Sequence, residues 1–71
     1  MNEKIRTLCR VNHVAAYEIG DELGVSENTI YRRLRHELTP DDQKLFLDAI
    51  EKISAEKRIA IQKEFLAARQ I

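Results

Sequence analysis

The chain has little that breaks a helix or links one segment to another. In 71 residues there are two glycines, one proline, one cysteine and no tryptophan. A single cysteine, Cys9, excludes an internal disulfide, and no second thiol or flanking cluster points to redox work. Its helical spacing with Ile5 predicts a small buried hydrophobe. Few glycines and prolines, with 44% apolar and 34% charged residues, predict mostly helix with short connections. No excess of either charge is present, because 12 Lys and Arg balance 12 Asp and Glu. Affinity for any polyanion must then rest on where the cations sit rather than on their sum. No apolar run is long enough to span a membrane. The opening MNEKIRTLCR has no apolar h-region of a secretory signal, so a cytoplasmic protein is expected. A chain this short builds one small domain, whose core alone supplies only about 3–5 kcal/mol.

The residues that are present spell out helices. Residues 2–11 form the first, with Asn2 as its cap, Glu3 in its first turn and Ile5, Leu8 and Cys9 on its inner stripe. Asn12 and His13 connect it to a second helix over about Ala15 to Leu23, which Val14 precedes. Tyr17 either packs against the first helix or offers its hydroxyl to a phosphate near the helix N-terminus. Thr39-Pro40-Asp41-Asp42 is a start signal, with Thr39 as N-cap, Pro40 at the first helical position and two acids in the first turn. The helix it opens has a broad apolar face of Leu45, Phe46, Ala49, Ile50 and Ile53, with Leu47 off that face. Ser54 is a candidate cap for a fifth helix, yet nothing between Lys52 and Ala60 forces a break. The expectation is all-α: four or five helices, with no sheet. The expected core is Ile5, Leu8, Ile19, Leu23, Val25, Ile30, Leu34, Leu45, Ile50 and Ile53.

The stretch YEIGDELGVSENTIYRRL, Tyr17 to Leu34, organises the rest. Ile19 and Leu23 share one face of one short helix, and Ile30 and Leu34 share one face of the next, which runs from Glu27 to about His36. Gly24 can end the first helix in the left-handed conformation at no steric cost. Val25 closes the inner side of the corner, and Ser26 caps the helix that follows. Gly20 has no side chain and lets the next element approach closely. The second helix then exposes a polar and basic set that includes Glu27, Asn28, Tyr31, Arg32 and Arg35.

This stretch resembles a helix-turn-helix. Gly20, Gly24, Val25, Ser26, Thr29 and Ile30 stand where a pattern of small residue, Gly-Val-Ser and Thr-Ile is expected. TIYRRLR looks like the ending of Fis-type and phage-repressor-like recognition helices. Residues 3–56 together resemble the small helical DNA-binding proteins of phages and mobile elements, broadly the lambda-repressor-like (Cro-type) domains. The likeness covers most of the chain, but only GVSENTI is specific. It implies a binder of double-stranded DNA, acting as a repressor-like transcriptional regulator or a recombination accessory factor. Its recognition helix would enter the major groove, which distinguishes all four base pairs. Asn28 suits adenine and Arg32 suits guanine through bidentate hydrogen bonds. Tyr31 can touch a thymine methyl or a phosphate, while Ser26, Thr29 and Arg35 position the helix on the backbone. Glu27 either accepts from cytosine or complements the dipole in the first turn.

Other chemistry finds no residues. There is no Gly-rich phosphate loop, and His13 and His36 lie in different elements without ligand spacing, so no metal and no cofactor are expected. No serine has a base beside it, so neither an enzyme nor a small-molecule substrate is expected. The alternative function is a protein-interaction module built on the same tri-helical core, residues 1–37. Such a module has no need of Tyr31, Arg32 and Arg35 together on one face. Residues 38–71 form the C-terminal helices. Ile59, Ile61, Phe65, Leu66 and Ile71 there are either part of a homodimer interface or fold back over the first and fourth helices to enlarge the core.

Overall fold

A computed structural model describes residues 2–69. They form four α-helices and no strand: α1 Glu3–Val11, α2 Ala16–Leu23, α3 Glu27–Leu34 and α4 Pro40–Arg69. Each boundary has a local cause. Gly24 closes α2 at φ 74°, in the left-handed region where a side chain is strained. The Ser26 hydroxyl accepts from the Thr29 N–H at 3.2 Å and opens α3. The Thr39 hydroxyl does the same for the Asp42 N–H at 3.2 Å, with Pro40 as the first residue of α4. Ala15 has no side-chain acceptor to cap α2. Instead the Glu18 carboxylate reaches back to the Ala15 N–H at 3.0 Å, satisfying one of the donors a helix start leaves open.

Asn2 does not cap α1. Its backbone is left-handed, at φ 59°, and its side chain makes no bond to the helix that follows. The carboxamide is drawn across the bundle, where its donors reach the carbonyls of Leu34 at 3.1 Å and His36 at 2.7 Å and its oxygen accepts from the Leu38 N–H at 3.2 Å. The exit from α3 outcompetes the start of α1 because it offers two open carbonyls and an N–H together.

The buried core comprises Ile5, Val14, Ile19, Ile30, Leu34, Leu38, Phe46, Ala49, Ile50 and Ile53. Burying a side chain such as Phe46 or Ile30 contributes about 1.5–3 kcal/mol. Leu23 and Val25 are half-buried and pack against this cluster. Two expected core residues lie outside it: Leu8 is 38% exposed and Leu45 48% exposed. The buried arc of α4 is Phe46, Ala49, Ile50 and Ile53, and Leu45, about 100° round the helix from Phe46, lies at its edge. On α1, Ile5 is buried and Cys9 packs at the edge of the core, which leaves Leu8 on the rim.

α4 is one helix of 30 residues, about 45 Å long. Among the described residues there is no fifth helix, and Ser54 does not cap: its hydroxyl is enclosed and makes no hydrogen bond. Segment 54–69, SAEKRIAIQKEFLAAR, is dense in strong helix formers and holds neither glycine nor proline, so the helix runs through. Nor does the end of α4 fold back, because every residue from 58 to 69 is exposed. The result is elongated, 49 × 21 × 17 Å, with a radius of gyration of 14.3 Å. A compact chain of this length would have about 11 Å. Ile71, grouped above with the apolar residues of this segment, lies outside the described residues.

Candidate nucleic-acid interface

The site is set by how closely α3 approaches α2. A β-carbon on Gly20 would lie 2.6 Å from the Val25 carbonyl oxygen, well inside van der Waals contact. That space lets the turn fold onto α2, and the Val25 N–H bonds the Gly20 carbonyl at 2.9 Å. The corner orients α3 so that Ile30 and Leu34 are buried, and its opposite side must face solvent.

That outward side carries Asn28, Tyr31, Arg32 and Arg35, all exposed. With Arg6 of α1 they line one shallow cleft of about 470 Å³. Arg6 was not singled out from the sequence, where it reads as one of several charged residues on the outside of α1. Its guanidinium donates to the Leu34 carbonyl at 3.0 Å and so joins α1 to the end of α3. A cation there also complements the negative end of the α3 dipole. Glu27 is exposed in the first turn of α3, where the dipole favours an acid. Ser26 and Thr29 have work inside the protein: their hydroxyls are 2.9 Å apart in the cap. Among the expected site residues, the cleft therefore gathers four and leaves Ser26, Glu27 and Thr29 at the N-terminal end of the helix.

The acids of α2 are turned elsewhere. Glu22 pairs with Lys52 of α4 at 2.7 Å, and Glu18 with Lys57 of α4 at 2.9 Å. The Ala15 N–H, then Lys57, hold the Glu18 carboxyl below the usual glutamate range. The bond to Glu22 raises the Lys52 ammonium above its ordinary value. Lys57 also donates to the His13 carbonyl, which ties α4 to the turn between α1 and α2. The Glu22–Lys52 and Glu18–Lys57 pairs thus lie at the α2–α4 seam, away from the cleft lined by Arg6, Arg32 and Arg35.

Tyr17 is 55% exposed and lines a shallow depression with Glu18, Asp21, Glu22 and Glu56 beside Lys57, a mostly acidic lining. Cys9 is half-buried, and burial pushes its thiol pKa up, away from reactive thiolate. No group of three His, Cys, Asp or Glu suited to a metal ion occurs among the described residues. No helix among them is long and apolar enough to cross a membrane. Comparison of the chain with protein families, curated proteins and solved structures finds no match.

Proposed function

We propose that the chain binds double-stranded DNA through α3, as a repressor-like regulator or recombination accessory factor. The observation that carries this reading is the segregation on α3: Ile30 and Leu34 are buried while Asn28, Tyr31, Arg32 and Arg35 converge with Arg6 on the open side. A helix with side chains is about 10–12 Å across and the major groove about 12 Å wide, so such a face can reach base edges. Arg32 and Asn28 read guanine and adenine; Arg35 and Arg6 meet phosphates. Ser26 and Thr29 add backbone contacts without leaving their cap, since a hydroxyl has both donor and acceptor capacity. An interaction module would make no use of this cationic face. One helix reads few base pairs, so the protein acts as two copies related by a two-fold axis.

The test is fluorescence anisotropy with duplex DNA from around the chain's own promoter at two salt concentrations. The expected result is a saturable complex that weakens with salt by a slope of about 0.9 per phosphate neutralised. Absence of any complex at low salt overturns the reading.

A further inference from the structure

We infer that the second copy seats its α4 antiparallel against the first, with the end of one α4 laid along the groove between α1 and α4 of the other. The inference rests on the two-copy reading above and gives it a surface and a direction. Three observations lead to it.

The first is surplus surface. A compact monomer of 8.3 kDa exposes about 4,600 Å². This chain exposes 5640 Å². The excess, on the order of 1,000 Å², is close to the roughly 800 Å² each partner contributes to a standard interface. The end of α4 leaves Ile59, Ile61, Phe65 and Leu66 each more than half exposed, and of these Ile61 and Phe65 share the side of the helix that bears Leu47.

The second is a matching receptor on the same molecule. Leu8, 38% exposed, and Leu47, 40% exposed, line one groove of about 390 Å³ over Ile5, between α1 and the start of α4. Leu47 and Phe65 are five complete helical turns apart, so they point the same way from α4. Antiparallel pairing that sets Phe65 of one copy level with Leu47 of the other repeats itself by symmetry. The groove and the α4 end of each copy are then both covered by the other.

The third is charge, and it fixes the direction. Residues 40–54 of α4 carry Asp41, Asp42, Asp48 and Glu51 against Lys44 and Lys52. Residues 55–69 carry Lys57, Arg58, Lys63 and Arg69 against Glu56 and Glu64. Of these cations, Lys52 and Lys57 are already paired with Glu22 and Glu18 of α2. The helix dipole accounts for the acids of the first turn and for Arg69, but its effect fades within a turn and does not reach Glu51 or Arg58. Both of these are exposed, and at seven positions apart they share the side of α4 that bears Leu47 and Phe65. In that antiparallel register Glu51 of each copy lies three residues, about 4.5 Å along the axis, from Arg58 of the other, a distance the long arginine side chain can span. Parallel pairing would set acid against acid and base against base.

Sedimentation equilibrium of the full chain without DNA tests this, with circular dichroism confirming that each variant stays helical. The parent should be a dimer at micromolar concentration, and Phe65→Asp a folded monomer. Glu51→Lys and Arg58→Glu should each raise the dissociation constant roughly tenfold. The double variant Glu51→Lys/Arg58→Glu should return it toward the parent value, because the two charges have only exchanged places. A parent that stays monomeric at high micromolar concentration overturns the pairing. A dimer indifferent to both single reversals overturns the antiparallel seat while leaving two copies in place. DNA binding is scored separately by anisotropy, so a dimer that ignores DNA would sink the functional reading and not this one.

Discussion

Asn2 and Leu34, 32 positions apart, are joined at 3.1 Å by the carboxamide of one and the backbone carbonyl of the other. The same carbonyl accepts from Arg6 at 3.0 Å. Local bonds at the end of α3 satisfy the Arg32 and Arg33 carbonyls, and Asn2 and Arg6 close the Leu34 carbonyl that follows them. The first residues of the chain thus tie down the end of α3 that carries Arg32 and Arg35, while the corner at Gly20 sets its approach to α2.

Asn2→Gly keeps the left-handed backbone accessible and removes three hydrogen bonds, so it should cost about 1–2 kcal/mol. Asn2→Asp should recover none of this, because although it keeps the acceptor for the Leu38 N–H it sets a charged oxygen against the Leu34 and His36 carbonyls. Urea unfolding of the three proteins gives the order. An Asn2→Gly protein as stable as the parent would show that the clamp contributes nothing.

The two glycines of the corner should differ in how they fail. Gly20→Ala drives a methyl into the Val25 carbonyl, a backbone atom that cannot swing aside, and should cost about 1–3 kcal/mol or more. Gly24→Ala meets nothing within 4 Å and costs only its left-handed backbone, about 1–2 kcal/mol. Gly24→Asn should be milder still. Thermal unfolding ranks them, and equal losses at Gly20 and Gly24 would contradict the close approach.

Glu18 predicts how stability responds to acid. Its folded pKa lies below the ordinary 4.5, so its contribution is fully present above that value and is lost as pH falls through the folded pKa. The chain should therefore lose stability on acidification more steeply than Glu18→Gln, whose side chain does not titrate. Urea midpoints measured across that range check the sign, and parallel curves would exclude the pair as a source of acid sensitivity.

On DNA, Arg32→Ala should cost roughly 1–3 kcal/mol and relax one base preference. Arg35→Ala should weaken all sequences alike and lower the salt slope by about one. Arg6→Ala should do the same and also reduce stability, because it loses the bond to Leu34. If all three bind a footprinted site as the parent does, α3 is not the reader.

Truncation separates the two parts of α4. A chain ending at Lys57 keeps the whole buried core, which finishes at Ile53, and keeps the bonds to Glu18 and His13. It should fold as a monomer. A chain ending at Glu56 should be less stable by about 0.5–1 kcal/mol, since the Lys57 bridge goes with it. Failure of the longer fragment to fold would mean that the exposed end supports the core.

What the sequence determined by itself is whatever four consecutive residues can decide. Gly24 as a stop, Ser26 and Thr39 as starts, and the opposition of Ile30 and Leu34 to Asn28 and Arg32 all follow from backbone conformation, hydrogen bonds within one turn, and helical period. Tertiary structure decided the rest, because there two segments compete for one place. Phe46 faces the core and Leu45 does not, because the way α4 lies on the bundle buries the arc of Phe46, Ala49, Ile50 and Ile53 and leaves Leu45 at its edge. Asn2 leaves its own helix because α3 offers it more partners. Arg6 enters the cleft because α1 lies beside the end of α3. Lys57 could be assigned to Glu18 only once α4 was known to pass Ser54 without a break, 39 positions along the chain from its partner.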